Sequence, residues 1–188
     1  PPPPPPPPPS LPAPPPPQLS TLYSSSAASD VYKRQVLDSH MDLPMLDDDL
    51  SAFERMDLIP FEAGIQHGVS GVMLSHIFYK NLDPHWPASL SDKIAKTLLR
   101  EQMGFDGLVL TDDLDMGAIV QHYDIQTTIR RILAAEIDLA LICHKGPNIE
   151  IAYKTLLQEI MVSADMKAKG IESVKRIMKL KERYLKHQ

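Results

Sequence analysis

Two short stretches carry residue types that do chemistry. In 104–119, GFDGLVLTDDLDMGAI, the apolar run Gly107-Leu108-Val109-Leu110 leads straight into Thr111, Asp112 and Asp113. A carboxylate at the end of a stiff, buried strand suits nucleophilic or acid/base work, because the strand fixes it while leaving it at a surface. A single Asp there is read equally well as a turn residue or helix N-cap, but one cap does not need two carboxylates. Side chains alternate along a strand, so one of the pair is expected to face a site and the other the following turn. Asp115 is expected to be solvated or capping. The second stretch is Asp38-Ser39-His40, in VLDSHMDLP, which lacks helical or strand periodicity and reads as a loop. An Asp two residues before a His can orient the imidazole and raise its basicity, as in acid/base dyads. A plain polar surface loop accounts for the same residues.

Other candidates are more ordinary. His76 follows a short apolar strand and either lines a pocket or is a satisfied, semi-buried histidine. His144 and Lys145 stand at the corresponding end of a later strand, again pocket or loop. Cys143 reads as a small core residue. Trp86, in DPHWPAS, is expected to pack on a loop, with sugar stacking as the alternative. Asp42 and Asp47-Asp48-Asp49 match no calcium-loop spacing, so the acidic run reads as solvated charge at a helix start, and no metal is expected.

These groups need a frame. Leu50 to Gln66 carries a rough helical stripe interrupted by Pro60, and Ser70 to Ile77 reads as a short buried strand. A second helix, capped by Ser89 or Ser91, places Ile94, Leu98, Leu99 and Met103 on one face and ends at Gly104. A third runs from about Ile125 to Glu136, followed by the continuous apolar strand Leu139 to Cys143. Helices near 148–161 and 171–186 finish the chain. Strands apolar on both faces and separated by helices imply βαβ units, hence an α/β fold with a helix-covered parallel sheet.

The chain has 188 residues and 19 prolines, with a formal net charge of −5. Residues 1–35 form a Pro/Ser-rich tail with little to bury, expected to be extended or disordered and without tertiary contacts. The stretch VYKRQ at 31–35 fits neither neighbour and reads as an artefactual join, so the folded region is expected over 36–188. Interspersed charge gives no nucleic-acid footprint. No apolar run approaches the roughly 20 residues of a membrane span. A lone cysteine excludes an internal disulfide framework and favours a reducing, cytoplasmic compartment, with secretion open if an upstream segment precedes Pro1.

LLREQMGFDGLVLTDDLDMGAI resembles the nucleophile segment of family 3 glycoside hydrolases, in their β-N-acetylhexosaminidase branch. VLDSHMDLP is similar to that branch's mobile catalytic loop, DLIPFEAGIQHGVSGVMLSHIFYKNLDPHWPASLS to its next helix, strand and loop, and ESVKRIMKLKERYL to its closing helix. The resemblance implies the C-terminal portion, about three βα units, of a (β/α)8 barrel. It implies retaining hydrolysis of terminal β-linked N-acetylglucosamine from cell-wall-derived glycans, without metal or organic cofactor. It makes Asp112 the nucleophile, His40 the acid/base and Asp38 its dyad partner, with His76 as a substrate-binding candidate. The branch's K-H-F-P-G-H-G motif and other sugar-gripping residues have no counterpart here, so the chain alone is expected to be inactive. Two other readings compete. One is a non-catalytic fragment or Pro-rich module docking on SH3- or WW-type grooves; the other is a phosphoacceptor signalling domain built on a strand-end Asp and Lys145.

Overall fold

The computed structural model describes residues 20–21, 42–46 and 57–185. Asp38 and His40, the tail outside 20–21 and the acidic run 47–49 lie outside the described residues.

Among the described residues, six strands form two sheets, parallel throughout. β1 (Ser20–Thr21), β3 (Gly71–Leu74), β5 (Leu108–Asp113) and β6 (Leu139–Leu141) make the main sheet, in the order β1-β3-β5-β6. β2 (Met45–Leu46) pairs with β4 (Phe78–Tyr79) in a smaller sheet. The helices are α1 (Ile59–Gln66), α2 (Lys93–Gln102), the single turn α3 (Gly117–Val120), α4 (Ile125–Ala134), α5 (Pro147–Val162) and α6 (Ala164–Leu185). This is the α/β arrangement that the alternation of apolar runs predicts.

β3 and β5 are the centre of the core, with Leu74 and Val109 wholly buried among Leu90, Ala95, Leu99, Ile119 and Ile132. Each fully buried aliphatic of this kind contributes about 1.5–3 kcal/mol. The two strands enter through a tight passage at Gly107. A Cβ there would lie 2.5 Å from the Phe105 ring and 2.9 Å from the Ser70 carbonyl. Gly104, at φ +68°, turns the chain out of α2 as predicted. Ser91 is the residue that caps α2, its Oγ accepting from Ile94 N–H at 3.2 Å, and α2 is wound as a π-helix rather than the ordinary helix expected. Asp124 caps α4 by accepting from both the N–H and the hydroxyl of Thr127, which holds its carboxyl below the usual range.

At the strand entry end, Asp138 is a fully buried carboxylate. It accepts from Arg100 Nη2 at 2.7 Å, Arg176 Nε at 2.9 Å and Val109 N–H at 2.9 Å. Three elements are thereby clamped to the start of the sheet: α2, α6 and β5.

Several expectations need correction. The tail is not wholly without tertiary contact, because Ser20–Thr21 pairs with Val72–Met73; an edge strand's unpaired N–H and C=O groups accept any extended segment. The strand predicted over 139–143 stops at Leu141 and is only half-buried, with Ala140 exposed, since β6 ends the sheet order and no described strand covers its outer side. For the same reason Cys143 is exposed, not a core residue. Asp115 is neither solvated nor a cap: it accepts from Asn148 Nδ2 at 2.8 Å and from His144 N–H at 3.3 Å. The last helix starts at Ala164, before the predicted start at 171, and runs through Gly170, where a Cβ would lie 3.3 Å from Ile160 Cδ1. No helix among the described residues is long and apolar enough to cross a membrane.

Candidate active site

The exit end of β5 gathers the polar groups. β5 pairs with β3 in simple register up to Leu74↔Thr111, but its pairing with β6 shifts between Leu110↔Leu139 and Asp113↔Leu141, one extra residue on the β5 side. Thr111, fully buried, fills the gap by accepting from Leu141 N–H through Oγ1 at 3.0 Å. Such bulges re-aim side chains near sites. Strict alternation therefore does not carry across Asp112 and Asp113, and what separates the two carboxylates is their partners.

Asp113 is built into the structure, as its predicted turn role requires. Its Oδ1 accepts from Asp115 N–H at 3.1 Å and from Cys143 N–H at 3.0 Å, and its carbonyl accepts from Met116 N–H. Asp112 is half-buried, and among the described residues its Oδ1 accepts from the adjacent Asp113 N–H, at 2.8 Å. It is thus oriented at the rim of the sheet without being consumed by the fold.

His76 sits against this strand end and is fully buried. Its Nδ1 meets Ser89 Oγ at 2.7 Å and its Nε2 meets the Asp113 carbonyl at 2.8 Å. Burial pushes its pKa down, against the opposing pull of the Asp113 carbonyl and the Asp112 and Asp113 charges. Both ring nitrogens are engaged inside the protein, so the substrate-binding role expected of His76 is not what its contacts serve. Sequence reasoning missed this pairing: Ser89 is 13 positions away, and only the turn through 83–91 brings it back. That turn is itself fixed by Asp83, which is buried and accepts from His85 N–H and Ser91 Oγ.

Residues 42–46, next in sequence to Asp38 and His40, pack beyond the ends of β3 and α3. Pro44 O accepts from Phe78 N–H at 2.8 Å, Met45 pairs with Phe78, and Asp42 Oδ1 lies 2.6 Å from His122 Nε2, just beyond α3. Asp42, two positions after His40, is therefore held beside the segment that follows Asp112. The His122 contact keeps the Asp42 carboxyl below its ordinary range.

His144, exposed, approaches Asp113 at 3.5 Å and Asp115 at 3.6 Å, close enough together for a metal ion. Both carboxylates already accept main-chain N–H bonds, which accounts for their placement without an ion. Trp86 packs between Tyr123, 5.4 Å between ring centres, and Arg131, 4.5 Å over its ring, in line with the expected packing role.

A parallel α/β sheet offering an oriented carboxylate at the exit end of a buried strand is the layout of an α/β enzyme domain. Residues 32–180 match the family model described as Glycosyl hydrolase family 3 N terminal domain, and the chain belongs to that family. It is 37% identical over 107 residues to a β-hexosaminidase of Xylella fastidiosa (strain 9a5c), covering 57% of this chain and 32% of that protein. It is similar to the structure of a glycoside hydrolase family 3 β-N-acetylglucosaminidase from Paenibacillus sp. str. FPU-7, with TM-score 0.75 and 32% identity over 79% of this chain and 28% of that one. The β-N-acetylglucosaminidase of Thermotoga maritima gives TM-score 0.68 and 30% identity, covering 73% of this chain and 30% of that one. The chain spans about a third of the length of the curated relatives it matches.

Proposed function

We propose that this segment supplies the nucleophile and acid/base portion of a retaining β-N-acetylglucosaminidase, as part of a (β/α)8 barrel. The observation that carries the reading is the placement of Asp112. Asp112 is oriented at the exit of β5 by the Asp113 N–H, and residues 42–46, which follow His40 in sequence, are bonded to Phe78 beyond the end of β3 and to His122 beyond α3. The relatives' names, β-hexosaminidase and β-N-acetylglucosaminidase, support the substrate class.

In this reading the Asp112 carboxylate attacks the anomeric carbon of a terminal β-linked N-acetylglucosamine. The C–O bond to the leaving group breaks as His40, protonated and oriented by Asp38, gives that oxygen its proton. A water then loses its proton to His40, attacks the same carbon and releases Asp112. Retaining glycosidases commonly use two carboxyl groups about 5 Å apart; the Asp38–His40 dyad takes the place of the second. Cell-wall-derived glycans are the substrate class this reading assigns. The residues require no metal or organic cofactor for these steps.

The test is turnover of an aryl N-acetyl-β-glucosaminide by the gene product that carries this segment. Release of the aryl alcohol with net retention at the anomeric carbon is expected. Inversion, or no turnover of any aryl N-acetylhexosaminide, contradicts the reading.

A further inference from the structure

The main-chain ladder between β3 and β5 stops two residues before the catalytic strand end does. It closes at Leu74↔Thr111, whereas β5 continues to Asp113. Beyond Leu74 the chain turns to a different partner: Ser75 O accepts from Ser89 N–H, and Ile77 O from Ala88 N–H. Continuing the register would place residue 76 opposite residue 113. That is where the His76 side chain bonds, its Nε2 at 2.8 Å from the Asp113 carbonyl.

We propose that His76 is a positioning residue, a neutral imidazole that substitutes for the missing ladder bond and holds the peptide beside Asp112 in place. The inference rests on the reading of Asp112 as the nucleophile. A carbonyl only accepts, so Nε2 must carry the proton. In the neutral ring Nδ1 then accepts, and Ser89 Oγ–H donates to it. The groups that bear on the ring are the Asp112 and Asp113 carboxylates, which favour the charged form, and the enclosing core, which opposes it. A buried ring with both nitrogens satisfied has one geometry, and it passes that rigidity to the strand end. On its other side this strand end is held by Leu114 N–H to Leu141 O at 2.8 Å, so His76 is the counterpart support.

Two variants separate the bond from the bulk: His76→Met fills the volume without a donor, and His76→Gln restores an N–H near the position of Nε2. Nitrogen NMR of the imidazole in the 188-residue chain should show the neutral Nε2–H form; an imidazolium or Nδ1–H signature at neutral pH overturns the proposal. Hydrogen exchange should be several-fold faster at the Asp113 and Met116 amides in His76→Met, restored in His76→Gln, and unchanged across Val72 to Leu110. Uniform acceleration through the sheet, or no rescue by Gln, means a filling role only and also overturns it. In the active gene product, His76→Met should lower kcat on the order of tenfold to a hundredfold with KM little changed, as expected when an attacking group is misplaced. Loss confined to KM contradicts positioning. A wild-type protein without glycosidase activity overturns the reading of Asp112 instead, and the exchange result still decides whether His76 holds this strand end.

Discussion

At the residue scale, two adjacent carboxylates of one chemical type take different parts because of what surrounds them. Asp113 is tied to the amides of Asp115 and Cys143, whereas Asp112 accepts, among the described residues, from its neighbour's N–H. The ring behind them adds a pH dependence whose sign follows from its burial. His76 has a folded pKa below its unfolded value of about 6.5, so between the two the unfolded chain binds the extra proton. Its contribution to stability is therefore complete above the unfolded value and declines as pH falls from there towards the lowered folded value. In chemical denaturation between pH 7.5 and 5, wild type should lose stability and His76→Gln should lose less. Parallel losses in the two proteins would mean that other groups set the acid response.

At the element scale, the parts legible in the sequence are those whose signal is local. The run 107–110, the stripe of α2 with its Ser91 cap and Gly104 stop, and the stripe of α4 were each readable because periodicity and caps lie within a few residues of one another. What was not legible depends on neighbours distant in sequence. An apolar run such as 139–143 looks the same in the middle of a sheet or at its edge, so the exposure of Ala140 and Cys143 was hidden. The bulge at Thr111 and the His76–Ser89 pair likewise arise only when β6 and the turn through 83–91 are in place. Asp38 and His40 were singled out by their spacing and lie outside the described residues. One element-level requirement is sharp. A methyl at Gly107 would press on the Phe105 ring, which is buried in the core, and on the Ser70 carbonyl, which accepts from the Leu108 N–H. Gly107→Ala should cost about 1–3 kcal/mol by overpacking, read as a lowered urea midpoint with an unchanged slope. A cost below a few tenths would show that the entry of β5 is looser than drawn.

At the scale of the whole molecule, the proposed chemistry and the main ionic clamp occupy opposite ends of one sheet. The entry end is locked by Asp138 between Arg100 and Arg176, while the exit end carries Asp112. Removing the buried Asp138 carboxylate leaves two partly buried guanidinium groups facing each other, so Asp138→Ala should cost about 3–5 kcal/mol. Equilibrium unfolding measures it, and a loss under 1 kcal/mol would show that the clamp is not what joins α2 and α6 to the sheet. The central claim, that Asp112 attacks the anomeric carbon, is tested most directly by trapping. The gene product carrying this segment is incubated with a fluorinated N-acetylglucosamine analogue bearing an activated leaving group, digested, and its labelled peptide sequenced by mass spectrometry. The account predicts the glycosyl adduct on Asp112; an adduct on Asp113 or on any other residue would contradict it.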